Sequence, residues 1–356
     1  MEKRILAVTA GDPSGIGPEI TLKALLREDI YRTCIPVIIG DGESLRSTVW
    51  LLNAGCRLHE VKGCGCEVQN VSPRDICYIQ AGDRRLIPWN MGEVSCEAGK
   101  TAFLSVEAGI RMAMNGEADA VVTGPISKEA INLAGYHYSG HTEIFSSYTG
   151  TKDYGMLLVS RHLKVIHVTT HMAMRDVYTA ITKERVLRTI RLAQEAAWLM
   201  GEKGRIAVAG FNAHCSENGL FGDEEIKEIM PAIRRAQEEG IDVEGPVPPD
   251  TVFVKAAAGQ YGIVVAMYHD QGHIPVKMDG FHMNPKTGGF ETVSGINCTI
   301  GLPIIRTSVD HGTAFDRAGK GEANEESMIE AIKMAVLMAG KRKEEGKHGQ
   351  DVGDCR

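Results

Sequence analysis

The run Ile263-Val264-Val265-Ala266-Met267, continued by Tyr268-His269-Asp270-Gln271-Gly272, decides how the rest of the chain is interpreted. Its first half is an uninterrupted apolar run, which is typical of a buried strand. Its second half brings a histidine, a carboxylate and an amide to the end of that strand, where each buried polar group needs a partner. The pattern predicts a strand whose carboxyl end opens into a site.

Two other apolar runs end in the same way, since Val165–Thr169 precedes His171 and Ile206–Gly210 precedes His214. A single histidine at a strand end is more often a core or rim residue than a ligand. Three in equivalent positions indicate one shared site, and imidazoles suit Zn²⁺, Co²⁺ or a similar ion. Asp270 is then suited to orient the ring of His269 from behind.

Strands alternate with helical patterns along the chain, which predicts an α/β protein with a largely parallel sheet. In such sheets ligands bind outside the carboxyl ends of the strands. The weaker patterns predict an irregular segment at 56–96 with one strand at 76–80, a helix at 222–239, a connector at 246–250, a loop at 278–295, a strand at 298–305, and a helix at 325–339.

Composition excludes several classes of partner. The chain has 356 residues, of which 43% are hydrophobic and 24% charged, with a net charge of −7. It has no long basic stripe, so nucleic acid is a poor partner. No run reaches the roughly 20 apolar residues of a membrane span. Nine scattered cysteines indicate free thiols in a reducing compartment. We expect a cytoplasmic protein that uses neither membrane nor nucleic acid.

A second group of residues is suited to an anion. Gly140-His141-Thr142 begins a helix and offers an imidazole, a hydroxyl and free amides, while Lys277, Asn297 and Arg306 add two positive charges and an amide. Taken one at a time, each is equally explained as a surface residue. Together they predict a phosphorylated, hydroxylated small molecule as the ligand.

Two further features have both a functional and a plain structural reading. The glycine-rich stretch Gly11–Glu19 joins a first strand to a helix, and its amides either face an anion or form an ordinary turn. Lys128 follows a predicted strand end at Gly124-Pro125 and either faces a cleft or is a solvated helix residue.

Several long motifs resemble 4-hydroxythreonine-4-phosphate dehydrogenase, the enzyme of pyridoxal phosphate biosynthesis, and its relatives that act on threonate or erythronate 4-phosphate. The likeness covers nearly the whole chain. The matching stretches are Gly11–Glu19, Gly140–Glu143, Phe211–His214, Tyr268–Gly272 and Arg306–Ala314.

The resemblance implies a two-domain fold like that of isocitrate and isopropylmalate dehydrogenases, with the active site in an interdomain cleft at a homodimer interface. We expect one domain over residues 1–130 plus about 300–345, a second over about 131–299, and a flexible tail at 340–356.

The resemblance also implies roles for three groups of residues. The metal ligands would be His171, His214 and His269, shared between subunits; the substrate contacts His141, Thr142, Lys277, Asn297 and Arg306; and the NAD contacts His311, Gly312, Thr313, Ala314 and Asn324.

Two stretches depart from the biosynthetic enzymes, namely Gly272–Lys277 and the longer segment Asp279–Gly295. Both lie between substrate-binding positions, so they bear on the identity of the substrate more than on the reaction.

The resemblance therefore implies an NAD- or NADP-dependent dehydrogenase that needs a divalent ion (Zn²⁺, Mg²⁺, Mn²⁺ or Co²⁺). Its substrate would be a phosphorylated four-carbon hydroxy acid, namely 4-hydroxy-L-threonine, D-threonate or D-erythronate 4-phosphate, which the enzyme would oxidise and then decarboxylate. The general base stays open between Asp270, Lys128 and a metal-bound water. Two other classes remain: a non-redox phosphoryl or acyl transferase on a related scaffold, and a non-catalytic metal-binding protein.

Overall fold

The computed structural model describes residues 3–65, 68, 71–82, 90–283, 285 and 290–351. The chain divides into two compact units, one formed by residues 1–152 and 302–356 and the other by residues 153–301. The first boundary follows Lys152, whereas the sequence interpretation set it near residue 130. The second boundary lies close to the expected position at residue 300.

Unit 1 is a parallel sheet with helices between its strands. The strand order is β3-β4-β2-β1-β5-β14, and every one of these pairings is parallel. Its strands are β1 (Arg4–Thr9), β2 (Cys34–Gly40), β3 (Arg57–Glu60), β4 (Asp75–Gln80), β5 (Ala120–Thr123) and β14 (Ile305–Val309). Its helices are α1 (Gly17–Leu25), α2 (Glu28–Thr33), α3 (Gly42–Leu51), α4 (Cys96–Met114), α5 (Lys128–Leu133), α6 (His141–Thr149) and α12 (Glu326–Asp351).

Unit 2 contains a mixed sheet in the order β13-β6-β7-β10-β8-β9. The pairs that join β7, β10, β8 and β9 are parallel, and the other two are antiparallel. Its strands are β6 (Gly155–Val159), β7 (Lys164–His167), β8 (Ile206–Ala209), β9 (Val243–Val247), β10 (Ile263–Ala266) and β13 (Ile296–Ile300), with a separate hairpin of β11 (Phe281–Met283) and β12 (Phe290–Val293). Its helices are α7 (Met174–Ala180), α8 (Lys183–Met200), α9 (Met230–Glu238), α10 (Pro249–Ala257) and α11 (His269–Gly280).

The predicted α/β class with a largely parallel sheet is confirmed. Several helix starts also have the predicted physical cause. The Ser127 hydroxyl accepts a hydrogen bond from the Ala130 amide at 3.1 Å and caps α5, while Pro18 lies in the first turn of α1. Each cysteine in the described residues is a free thiol, and no helix among them is both long and apolar enough to cross a bilayer.

Two strands of the larger sheets were missed because both lie at sheet edges. β3 is mostly exposed and has no apolar run, and β9 contains Gly245 and Pro246, which are tolerated at an edge where one side of the ladder is unpaired. The predicted strand at 298–305 is in fact two strands, β13 and β14.

Three predicted segments differ from the structure in other ways. The predicted loop at 278–295 contains the end of α11 and the β11–β12 hairpin, although positions 284 and 286–289 lie outside the described residues. The predicted helix at 222–239 begins instead as a π-helical turn, Glu225–Ile229, before α9. Helix α12 continues to Asp351, through most of the segment expected to be a flexible tail.

The approach of α4 to α5 depends on a glycine. A β-carbon at Gly99 would overlap the carbonyl group of Ala130, which belongs to the backbone and cannot move aside cheaply. Helix α5 in turn carries Lys128 beside the candidate substrate residues, so this contact sets the position of part of the site.

We therefore expect Gly99→Ala to lower the free energy of unfolding by roughly 1–3 kcal/mol, because the added methyl group overpacks the helix contact. The matched control is Gly340→Ala in α12, where a β-carbon meets no atom within 4 Å. That substitution should stabilise the protein by up to about 1 kcal/mol through helix propensity. Urea denaturation measures both, and equal effects of the two substitutions would contradict the packing argument.

Candidate functional site

The three predicted strand endings lie side by side in unit 2. Strands β7, β10 and β8 are consecutive and parallel in its sheet, so their carboxyl ends share one edge. His171, His269 and His214 follow these three strands in that order. The three strand endings therefore lie along one edge of the sheet.

Hydrogen bonds tie these strand ends together. Gln271 accepts from the Met267 amide at 2.6 Å and donates to the Gly210 carbonyl at 2.8 Å, which joins β10 to β8. Thr169 donates its hydroxyl to the Met267 carbonyl at 2.7 Å, which joins β7 to β10. Both side chains are buried, so these bonds are shielded from competing water. The loops that carry the candidate ligands therefore start from fixed points.

Two of the predicted metal ligands lie near each other. The rings of His171 and His269 have their centroids 5.6 Å apart. The Asp270 carboxylate is 2.7 Å from Nδ1 of His269, which is the predicted orienting contact and leaves Nε2 as the nitrogen available to an ion. Within the described part of a single chain, however, no group of three or more His, Cys, Asp or Glu side chains is arranged to hold a metal. His214 is thus not grouped with the other two.

His214 lies in an unusual left-handed turn. His214 and the four residues that follow it, through Asn218, all have φ between 46° and 63°, a conformation that costs L-residues energy. The buried Glu225 carboxylate stabilises the approach to this turn by accepting from the amides of Phe211 at 2.8 Å and Asn212 at 2.6 Å. A turn held at such cost by a buried carboxylate is typical of a functional site.

Cys215, next to His214, is a half-buried free thiol. Burial raises the pKa of its thiol to about 11, and the negative charge of Glu225 makes a smaller contribution in the same direction. At neutral pH it is protonated and is a poor metal ligand.

A row of imidazoles extends from the candidate metal residues into the sheet. The ring of His273 stacks on His269 with centroids 3.6 Å apart, and the buried His167 is 4.7 Å from His273. Burial, more than the neighbouring imidazoles, lowers the pKa of His167 to about 3, so this ring is neutral. Gly272 permits the packing, because a β-carbon there would overlap the ring of His167.

His269 and Lys277 lie on one helix, α11. They occupy the first and last turns of α11, which contains Gly272 and Pro275. These residues have low helix propensity, and tertiary packing overrides it here. The Lys277 ammonium lies 4.2 Å from the centroid of the Phe281 ring. Asn297, also in unit 2, lies on β13 opposite Leu158 of β6.

In unit 1 the structure brings His141 and Arg306 together. Burial first, and then the charge of Arg306, hold the pKa of His141 well below its ordinary value. The Nε2 atom of His141 is buried and has no hydrogen-bond partner among the described residues. Arg306 is buried on β14, donates to the Thr123 hydroxyl at 3.0 Å, and lies over the ring of Phe145. A buried cation beside a neutral donor is suited to a phosphate or carboxylate.

Thr142 and Lys128 border this pair. Thr142 follows His141 in the first turn of α6, where backbone amides have no intrahelical partner. The Lys128 side chain reaches Gly140, since its Cε lies 3.7 Å from where a glycine β-carbon would be. Lys128 is therefore both an exposed helix residue and a neighbour of the candidate substrate residues.

The predicted cofactor stretch, residues 311–324, packs on the glycine-rich loop Gly11–Glu19. The Thr313 carbonyl accepts from the Ile16 amide at 3.0 Å, and a β-carbon on Gly15 would crowd Thr313. Ala314 has a φ of 44°. His311 contacts the Gly312 carbonyl at 3.0 Å, and Asn324 accepts from the Glu326 amide at 2.9 Å.

The glycine-rich loop itself uses its amides internally. The Ser14 amide donates to the Asp12 carboxylate at 2.9 Å, and the Gly15 amide to the Asp12 carbonyl at 3.1 Å. Residues 11–20 are all buried. The hypothesis that these amides face an anion is therefore wrong for Ser14, Gly15 and Ile16. Burial raises the pKa of Asp12 to about 6.

The sequence did not reveal that Gln271 links two strand ends or that Glu225 and Glu19 are buried carboxylates. It also did not reveal the row of imidazoles beyond His269. A polar residue inside an apolar run, such as His167 in β7, was the one available signal. The others act across large sequence separations.

Known proteins resemble the chain over nearly its full length. The family model described as "Pyridoxal phosphate biosynthetic protein PdxA" matches residues 32–335. D-threonate 4-phosphate dehydrogenase from Salmonella typhimurium is 43% identical over 341 residues, which covers 95% of this chain and 100% of that protein. The structure of 4-hydroxythreonine-4-phosphate dehydrogenase from Klebsiella pneumoniae is 40% identical with a TM-score of 0.81, covering 95% and 98% of the two chains.

EutD phosphotransacetylase from Staphylococcus aureus has a TM-score of 0.52 at 14% identity, covering 95% and 94% of the two chains. This likeness shows a shared fold alone, so the fold by itself does not separate a dehydrogenase from a transferase. The relatives at 40% identity or more do, and the predicted dehydrogenase class is confirmed by them. The chain belongs to the pyridoxal phosphate biosynthetic protein PdxA family.

Proposed function

We propose that the chain is a metal-dependent, NAD- or NADP-linked dehydrogenase that oxidises a four-carbon hydroxy acid 4-phosphate. The candidate substrates are D-threonate, D-erythronate and 4-hydroxy-L-threonine 4-phosphates. The observation that carries the proposal is the 43% identity, over 95% of the chain, to a D-threonate 4-phosphate dehydrogenase. The buried Arg306, next to His141 whose Nε2 atom is buried, supports a phosphorylated ligand.

The decisive experiment is a panel of the three 4-phosphorylated acids, assayed for NADH and NADPH formation with Zn²⁺, Mg²⁺, Mn²⁺ or Co²⁺ after removal of metal by a chelator. We expect one acid to be oxidised at least about tenfold more efficiently than the others, only with metal added. D-threonate without phosphate is the control. Full turnover by the chelated protein, or none with any acid, would refute the proposal.

In unit 1, Arg306, His141 and Thr142 would hold the phosphate and so orient the substrate far from the reacting carbon. In unit 2, Lys277 and Asn297 are the proposed substrate contacts. NAD or NADP would accept the hydride, and the hydroxyl proton would leave to a base. The product is a 3-keto acid, which can lose CO₂ to give an enolate that is then protonated.

A divalent cation is suited to the histidine-lined edge of unit 2. His269, oriented by Asp270, and His171 offer two imidazoles from one chain. A cation held there would supply Lewis-acid chemistry at the carbinol oxygen. The contact of Asp270 with His269 supports an orienting role for this carboxylate, and the proximity of Lys128 to Gly140 supports Lys128 as the base. A bound water remains the third candidate for that role.

The chain would act as a homodimer that shares its metal ligands. Several large apolar side chains of unit 2 are exposed, including Ile274 and Met278 on the same helix as His269. Exposed apolar groups of this kind favour a protein interface. The lack of a three-ligand group within the described residues of one chain agrees with a partner's contribution.

Subunit sharing predicts complementation between two inactive variants. His214→Ala and His269→Ala should each lose metal and turnover when pure. If these ligands come from different subunits, a mixed dimer has one site with both changes and one intact site. Mixing the variants under exchange conditions should therefore restore activity, measured as NADH formation. The control mixture of His214→Ala with His171→Ala tests which pair shares a subunit, and no restoration in either mixture would contradict sharing.

The phosphate role of Arg306 predicts a substrate-specific defect. Arg306→Lys keeps the charge but loses the planar fork, so KM for the phosphorylated substrate should rise about tenfold or more. KM for NAD and the weak turnover of the non-phosphorylated acid should change little. Steady-state kinetics with both acids measures this. The control is Arg27→Lys, which alters an exposed pair with Asp29; an equal loss with both acids would show that Arg306 contacts another part of the substrate.

A further inference from the structure

Two side chains of α1 hold a short piece of the predicted cofactor stretch by its backbone. Glu19 accepts from the Gly321 amide at 3.3 Å through Oε2 and from the Ala323 amide at 2.7 Å through Oε1. Lys23 donates to the carbonyls of Gly321 at 2.9 Å and Ala323 at 2.7 Å. The two side chains thus bind the amide and the carbonyl of both Gly321 and Ala323. Such complete pairing is what a neighbouring strand would provide.

The two side chains also bind each other. The Lys23 ammonium lies 2.9 Å from Oε1 of Glu19, one helical turn away. Glu19 is only 3% exposed, so its charge depends on Lys23 and the two amides for compensation. The same polar contacts therefore stabilise the buried carboxylate and the backbone of the stretch.

The held segment presents its other side outward. Ala323 is buried against unit 1, whereas Glu322 and Asn324 on either side of it are exposed. At its far end, the Asn324 side chain caps the first turn of α12 through the Glu326 amide. Residues 321–324 are fixed at one end by α1 and at the other by α12, although they form neither helix nor strand.

We propose that Glu19 and Lys23 are positioning residues that pre-order Gly321–Asn324 for binding the dinucleotide. The inference rests on the proposed use of NAD or NADP. The physical reason is that a segment ordered before binding loses less conformational entropy when the ligand arrives. Neither side chain need touch the dinucleotide. Their contribution would appear in cofactor affinity rather than in the chemical step.

Glu19→Gln tests the proposal in the full-length protein. Glutamine offers one acceptor oxygen to two amides, and it removes the charge that pairs with Lys23. We expect the Kd for NAD or NADP to rise about tenfold, in line with the loss of hydrogen bonds to a charged group. At saturating dinucleotide, kcat should stay within about twofold to threefold. Amide hydrogen exchange of peptides that cover 318–326 should speed up without ligand.

The matched control is Glu225→Gln, which makes the same change to a buried carboxylate of unit 2 that holds the amides of Phe211 and Asn212. It should weaken metal binding and leave the dinucleotide Kd within about twofold. Lys23→Met is a second variant in case Glu19→Gln fails to fold. It removes the bonds to both carbonyls from a side chain that is partly exposed.

An unchanged dinucleotide Kd in Glu19→Gln, or in Lys23→Met if the former does not fold, would overturn the proposal. So would unchanged exchange of 318–326, or an equal loss of metal and dinucleotide affinity, which would indicate general destabilisation. If the wild-type protein binds neither NAD nor NADP, the proposed function itself is wrong and the inference falls with it.

Discussion

The backbone groups of Met267 and Gly210, released where β10 and β8 end, are both hydrogen bonded by the one side chain of Gln271. A parallel sheet pairs its peptide groups only while its strands last, and the loops beyond must find other partners. The Thr169 hydroxyl adds a bond to the Met267 carbonyl and so joins β7 to β10. These bonds hold the first residues of the segments that carry the histidines as they leave the sheet.

Elsewhere in each unit, a buried carboxylate provides the hydrogen bonds that backbone amides outside helices and strands need. Glu225 accepts two amides before the left-handed turn of His214, and Glu19 accepts two amides of the stretch at 321–323. Both carboxylates are almost fully buried, which carries a desolvation cost that several hydrogen bonds must offset. Both carboxylates lie beside segments that we expect to bind metal or cofactor. The desolvation cost lowers the stability of the fold, and in return the hydrogen bonds fix the geometry of these segments.

The sequence predicted what depends on local pattern and missed what depends on distant contacts. Apolar runs located β7, β8 and β10, and so brought His171, His214 and His269 to one edge of a sheet. Nothing local reveals that Gln271 bonds a carbonyl 61 residues away, or that Glu19 bonds an amide 304 residues away. Helix α11 was missed for a related reason, since packing overrides the low propensity of its glycine and proline.

The proposed metal ligand His269 and the proposed phosphate contact Lys277 both belong to α11. One helix carries His269 in its first turn and Lys277 in its last, so the distance between these two side chains is fixed by a rigid element. His273 lies between them, stacked on His269 and hydrogen bonded through Nδ1 to the His269 carbonyl at 2.9 Å. A substitution in this turn would alter the ring orientation of His269 and the reach of Lys277 together. With the proposed roles of His269 and Lys277, substrate length and metal geometry would be coupled through this single helix.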